Sequence, residues 1–203
     1  MSRRIGLFGG TFDPPHIGHL NIAAHAAHEL GLERVLFVVA HDPWQKSESR
    51  HVTAAEDRLA MTALAVEPYP RLETFDIEMR RGGPSFTIDT VEELRAAGNV
   101  EPVVIVGRDA AEGLDTWHRS DDLREACTVA VADRPAAARS TSGRSARPLP
   151  DGWRIEPFHA PLIDVSSSEI RRRVREGVPI DVLVPSSVVN YIEGHGFYSS
   201  TVW

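Results

Sequence analysis

Cysteine occurs once in this chain, at Cys127, so no intramolecular disulfide can form. The residue sits beside an apolar run and reads as an inert core thiol, which fits a reducing, cytoplasmic setting. Long apolar runs are also missing: none approaches the roughly 18 residues of a membrane helix, so no membrane partner is expected. The N-terminus enters an apolar strand at once, without the pattern of a secretory leader. Basic excess is absent too, with 22 Lys and Arg against 29 Asp and Glu and a formal charge of −7. That balance argues against a general nucleic-acid binder, which needs a basic face. It leaves a nucleotide substrate open, because a phosphate pocket needs only a few local donors. No internal repeat is present. Apolar content of 42% and charged content of 25% are ordinary for a globular protein, and residues 1–203 are expected to form a single domain.

The most informative stretch runs from Ile5 to His19, Ile-Gly-Leu-Phe-Gly-Gly-Thr-Phe-Asp-Pro-Pro-His-Ile-Gly-His. Ile5, Leu7 and Phe8 predict a short buried strand. Gly9 and Gly10 let the backbone turn and approach a ligand, and Pro14 and Pro15 stiffen the turn. An alanine-rich helix is predicted from about Gly18 to Leu30, with Leu20, Ala23, Ala24, Ala27 and Leu30 on its buried face and Gly31 as its C-cap. His16 and His19, three apart at the helix start, can face the same loop. Unpaired N–H groups at a helix beginning suit a phosphate, and imidazoles beside them can donate to its oxygens. A His-x-x-His pair can also hold a metal, but His25 and His28 do not complete such a site. The stretch therefore reads as a phosphate site that does chemistry.

The remaining chain alternates strand and helix. Val35 to Ala40 and Val103 to Gly107 are unbroken apolar runs, the mark of parallel strands covered on both faces. The expected fold class is α/β: a doubly wound, Rossmann-like parallel sheet with helices on both faces. After the Val35 strand, Lys46 can reach a phosphate and Trp44 can stack on a flat ring. Thr53 to Glu56 reads as a capping box opening a helix with Leu59, Ala60, Ala63 and Leu64 buried. A strand is predicted over residues 71–75, and a helix capped near Thr87 or Asp89 follows. Thr87 is placed for polar contact with a ligand, or for simple capping. Gly107 and Asp109 end a strand where a carboxylate can accept from ribose hydroxyls. Trp117 and His118 follow a short helical piece. Thr128 to Asp133 and Trp153 to Phe158 predict two more strands. Residues 136–150 lack periodicity and read as a mobile surface loop.

A second motif is Val165-Ser-Ser-Ser-Glu-Ile-Arg171. Ser166 and Glu169 have capping spacing, and the helix they open is expected to carry Arg171 in its first turn. A cation there opposes the helix dipole by roughly 0.3–1 kcal/mol, a cost that a bound anion would offset. Of the basic run 171–173 with Arg175, two residues read as a solvated face. A closing helix is predicted from Ser186 to about Gly194.

Gly9-Gly-Thr-Phe-Asp-Pro-x-His-x-Gly-His19 resembles the signature of the nucleotidylyltransferase superfamily, and Ser-Ser-Ser-Glu-Ile-Arg171 resembles its second phosphate motif. Trp44-Gln-Lys46, Ser85 to Thr90, Gly107-x-Asp109 and Trp117 fall in the order seen in the bacterial nicotinate-nucleotide adenylyltransferase branch. The resemblance implies joining of ATP to nicotinate mononucleotide, giving nicotinate adenine dinucleotide (deamido-NAD) and pyrophosphate in NAD biosynthesis. Pantetheine-phosphate adenylyltransferase is the enzyme alternative, and a nucleotide-binding regulator without turnover the non-enzyme one. By the same resemblance, His16, His19 and Arg171 are catalytic. Gly9, Gly10, Thr11, Phe12, Lys46, Gly107, Asp109, Arg134, Ser167, Ser168 and Ile170 surround ATP. Trp44, Thr87, Trp117 and His118 receive nicotinate mononucleotide. No protein metal site is expected; Mg2+ would travel on the ATP phosphates. A homo-oligomer is left open.

Overall fold

The computed structural model of the chain describes residues 2–42, 52–133 and 148–199. Among the described residues there are six strands: β1 (Arg3–Gly10), β2 (Arg34–Val39), β3 (Leu72–Phe75), β4 (Val100–Gly107), β5 (Thr128–Asp133) and β6 (Ile155–His159). They form one sheet in the order β3-β2-β1-β4-β5-β6. β4 is parallel to β1, with Ile5 opposite Pro102, and to β5, with Ile105 opposite Ala130. The order reverses its winding between β1 and β4, the pattern of a doubly wound α/β sheet. This is the expected fold class, and the unbroken apolar runs explain it. Ile5, Leu7 and Phe8 of β1, Val35 to Val39 of β2 and Val103 to Val106 of β4 are all buried. Packing at β1 is close: a Cβ on Gly6 would meet Leu32 Cδ1 and Ile105 Cδ1 at 2.9 Å.

The helices are α1 (Ile17–Glu29), α2 (Ala55–Val66), α3 (Ile77–Arg81), α4 (Thr87–Ala96), α5 (Arg108–Ala111), α6 (Ser120–Ala126), α7 (Ser167–Arg175) and α8 (Ser186–His195) among the described residues. Contacts gather the chain into two compact units, each drawn from three stretches. One comprises Met1–Gly9, Asn21–Leu36 and Phe86–Leu162; the other comprises Gly10–Leu20, Phe37–Ser85 and Ile163–Trp203. Of the segment read as a surface loop, residues 136–147 lie outside the described residues.

Several local expectations are corrected. In α1 the buried alanines are 23, 26 and 27, while Ala24 faces outward. Gly31 does take the left-handed C-cap conformation, at φ 61°. The α2 capping box does not form: Ala54 is the N-cap, with no side-chain cap bond. The Thr53 hydroxyl is instead buried against the Tyr198 phenol. The buried face of α2 is also rotated from the one expected, and consists of Arg58, Met61, Thr62, Ala65 and Val66. α4 begins at Thr87 with Phe86 as N-cap, so neither Thr87 nor Asp89 caps it.

Arg58 explains the rotation of α2. Only 1% of it is exposed, yet it makes no direct ion pair among the described contacts. Its guanidinium donates to four backbone carbonyls: Thr53 at 2.8 Å, Thr11 at 2.9 Å, Ala40 at 2.7 Å and His41 at 3.2 Å. Five fixed N–H donors match carbonyls that would otherwise be buried without partners. Each unpaired buried carbonyl costs about 1–3 kcal/mol. Arg58→Met, which keeps the apolar stem, is therefore expected to destabilise the fold by at least about 3 kcal/mol. For a chain of this size that is a fall of roughly 10 °C in Tm, and calorimetry showing less than about 2 °C would remove this role.

Candidate active site

The loop leaving β1 belongs to the second unit from Gly10 onward. A Cβ on Gly10 would meet the Phe12 ring at 2.8 Å, so glycine lets that ring fold back beneath the loop. Phe12 sits in the left-handed region at φ 49° and is 2% exposed. Its ring packs edge-on to His19 at 5.0 Å and against Phe37 at 5.3 Å. The Phe12 side chain thus supports His19 from below, leaving backbone as the part of residue 12 available to a nucleotide. The Asp13–Pro14 peptide is cis.

His16 acts as the N-cap of α1, its carbonyl accepting from the N–H groups of His19 and Leu20. His19 is the third helical residue, and its Nδ1 accepts from the His16 backbone N–H at 3.2 Å. This reciprocal bond is the geometry of a capping box with imidazole in place of the carboxylate. It has a chemical consequence. With Nδ1 accepting, the proton of neutral His19 lies on Nε2, which becomes a hydrogen-bond donor. The two rings stack with centroids 3.6 Å apart. Gly18 makes this possible, because a Cβ there would meet His16 Nδ1 and Val165 Cγ1, each at 3.1 Å. The spacing His-x-Gly-His is therefore a packing requirement as well as a signature.

The second motif reaches the first. Ser166 caps α7, its hydroxyl accepting from the Glu169 N–H at 3.2 Å, in line with the spacing. The Ser167 hydroxyl donates to the Pro14 carbonyl at 2.8 Å. Arg171 is the fifth residue of α7, past the first turn that the sequence predicts for it, so the dipole cost assigned to it does not apply in full. Helical side chains lean toward the N-terminus, and this brings the guanidinium back to the loop. It donates to the Asp13 carbonyl and, at 3.0 Å, to Ser168 Oγ; it also lies 3.7 Å from Asp13 Oδ2. Arg171 is buried, Ile170 is wholly buried and Ser168 is exposed. Arg172 and Arg173 bind Glu169, holding its carboxyl down at about 2, and make up the solvated basic face.

Asp13, Arg58 and Tyr198 join this cluster, and the sequence assigns a role to none of them. The buried Tyr198 phenol donates to Asp13 Oδ1 at 2.7 Å. Asp13 lies inside the first motif and is legible there. Tyr198 has no local signal, being 185 positions away from its partner.

The first unit holds Thr87, Gly107, Asp109, Trp117 and His118. Gly107 ends β4 and is exposed, as is Asp109 in α5; Arg108 stands 3.5 Å from Glu112. Thr87 opens α4 and is half-buried. Trp117, half-buried, and His118, exposed, follow a turn of 3-10 helix at Leu114–Thr116. The His118 ring stacks on Phe86 at 4.0 Å, and Arg119 bonds Glu92 and Asp122, each at 2.6 Å. These contacts hold the 117–118 turn beside the beginning of α4. Trp44, Lys46 and Arg134 lie outside the described residues. Among the described residues, no three His, Cys, Asp or Glu side chains gather closely enough to hold a metal ion, and no helix is long and apolar enough to cross a membrane.

Comparison with known proteins adds to this geometry. Residues 7–173 match the family model described as cytidylyltransferase-like. A Saccharopolyspora erythraea protein named probable nicotinate-nucleotide adenylyltransferase is 40% identical, over 97% of this chain and 90% of its own. A Thermus thermophilus protein of the same name is 42% identical, over 96% of this chain and 99% of its own. Among solved structures, Plasmodium falciparum nicotinic acid mononucleotide adenylyltransferase complexed with NaAD is similar, with a TM-score of 0.75 and 15% identity over 97% of each chain. At that identity the structural likeness speaks to the fold.

His16 supplies a test of the site's electrostatics. Burial pushes its pKa down from 6.5 to about 4. The folded state thus holds it neutral, and the unfolded state takes up the proton first as pH falls. Stability on the order of 3 kcal/mol, present above about pH 6.5, is lost as pH drops toward 4. His16→Gln cannot titrate, so the wild-type urea midpoint should fall more steeply than the variant's between pH 7 and pH 4.5. Parallel slopes would show that the imidazole is not buried in its neutral form.

Proposed function

Because the chain belongs to the bacterial nicotinate-nucleotide adenylyltransferase family of cytidylyltransferase-like proteins, we propose that it joins ATP to nicotinate mononucleotide, giving nicotinate adenine dinucleotide and pyrophosphate. The observation that carries this reading is the meeting of two motifs distant in the chain, with Ser167 and Arg171 of α7 bonded to the Pro14 and Asp13 carbonyls. Imidazole, guanidinium and hydroxyl groups then stand around one loop, the donor chemistry that a triphosphate requires.

The reaction uses charge placement more than proton transfer. The 5′-phosphate of nicotinate mononucleotide is already anionic, so no general base is needed. One of its oxygens attacks the α-phosphorus of ATP in line. A new O–P bond forms, the bond to the β-phosphate bridging oxygen breaks, and pyrophosphate leaves with the electron pair. His19 would donate from Nε2 to a phosphate oxygen as charge grows at the α-phosphate. His16 stays neutral near pH 7, so the stacked pair avoids the repulsion of two imidazolium rings. Arg171 supplies the permanent positive charge.

Gly9, Gly10, Thr11 and the residue 12 backbone are proposed to line the nucleotide, with Ser167, Ser168 and Ile170 on the α7 side. Gly107 and Asp109 would hold the ribose, and Thr87, Trp117 and His118 the acceptor. Arg134, Lys46 and Trp44 retain their assignments to adenine, phosphate and acceptor from sequence. Mg2+ is proposed to arrive on ATP. Phosphate oxygens and water would be its main ligands, and no step here is routed through the ion.

The deciding experiment follows pyrophosphate release with ATP plus one acceptor at a time. Nicotinate mononucleotide should be turned over and phosphopantetheine should not. Preference for phosphopantetheine, or bound ATP that is never converted, would replace this function with one of the alternatives. Within the same assay His19→Ala should lower kcat by roughly 10²–10³, the loss expected for one transition-state donor. A variant within a few-fold of wild type would strip His19 of its role.

A further inference from the structure

Tyr198 lies far from both motifs in the chain, in the turn that follows α8. It is fully buried, and its backbone sits in the left-handed region at φ 63°. A bulky residue rarely adopts that conformation, and it persists only where surrounding contacts impose it. Those contacts are specific. The phenol donates to Asp13 Oδ1 at 2.7 Å and accepts from the Thr53 hydroxyl at 3.4 Å. The other carboxylate oxygen, Oδ2, makes no hydrogen bond among the described residues and faces the Arg171 guanidinium at 3.7 Å. Burial, and then the Asp13 charge, push the phenol pKa upward, so it remains a donor at any physiological pH.

We propose that Tyr198 is a positioning residue for Arg171: its phenol fixes the Asp13 carboxylate, and that carboxylate sets the guanidinium toward the triphosphate. The inference rests on the function proposed above and adds a residue that no motif contains. Its physical basis is the split use of one carboxylate. One oxygen is pinned by a neutral donor, and the other stays available to hold a cation without a tight, charge-cancelling fork. Were Oδ1 released, the carboxylate could rotate and take Arg171 in a closer, bidentate pair, withdrawing positive charge from the phosphate side.

Tyr198→Phe removes only the hydroxyl. Expected is a fall in kcat of about tenfold, the worth of one hydrogen bond to a charged group, with both KM values within about twofold. Unfolding should remain cooperative. In an Arg171→Ala background the same substitution should change kcat less than twofold, because the group it acts through is gone. Should Tyr198→Phe fail to fold, Asp13→Asn supplies the second arm. Asparagine can still accept from the phenol but no longer attracts the guanidinium, so Arg171 is no longer set toward the phosphate; kcat should fall by a similar factor, with the same silence in the Arg171→Ala background. An unchanged kcat, or an equal loss with and without Arg171, overturns the positioning role alone. Undiminished turnover by Arg171→Ala would overturn the assignment of Arg171, and this proposal with it.

Discussion

A loop that binds an anion through backbone N–H groups must dispose of its carbonyls. Those carbonyls tend to face the other way, into the protein, where water cannot serve them. In this chain the Arg58 guanidinium takes the Thr11 carbonyl of the loop leaving β1, together with those of Ala40, His41 and Thr53 from two further segments. A neutral side chain could satisfy one or two. The planar fork satisfies four, and it brings a positive charge beneath the loop in the same step. Burial opposes that charge, while nearby Asp13 supports it. The backbone requirement and the electrostatic requirement therefore meet in one residue, beneath the loop proposed to hold phosphate.

Asp13 is the second layer. It lies between Tyr198 and Arg171, and Arg58 feels its charge. Counting Arg58 and Arg171 against Asp13 leaves one positive charge under a loop in a chain whose formal charge is −7. Overall acidity and local cationic character coexist because only a few buried groups set the field where a phosphate would sit. His16 does not contribute to this charge near neutral pH, since burial keeps it in its neutral form. His19, with Nδ1 accepting from the His16 N–H, turns a donor nitrogen outward, and the arginines carry the charge.

How far the sequence reveals all this depends on the range of the signal. Glycine, proline and histidine spacing in 9–19 marks the first site, because each residue there answers a local steric demand, as Gly18 does for His16. Unbroken apolar runs disclose the parallel sheet for the same reason. Thr53 and Arg58 mislead. Thr53 looks like a cap because capping chemistry is local, but its hydroxyl is taken by a tyrosine 145 positions away. Arg58 looks exposed on any hydropathy scale, and is buried because of carbonyls that only the fold assembles. The sequence reading puts Arg171 in the first turn of its helix, but it lies in the second, so its dipole penalty is overstated.

The same reasoning says why imidazole, rather than lysine, stands at positions 16 and 19. A lysine at residue 19 would lack the acceptor that His19 Nδ1 offers to the His16 N–H, leaving a helix-start donor without its partner. A lysine at residue 16 would bring a full charge into a pocket whose burial already drives the imidazole to its neutral form. Imidazole alone among common side chains accepts at one ring nitrogen while donating at the other. It can therefore complete the helix cap inward and address a phosphate outward with a single ring. Structural capping and proposed catalysis are two faces of one group, and the spacing of the motif follows from the first as much as from the second.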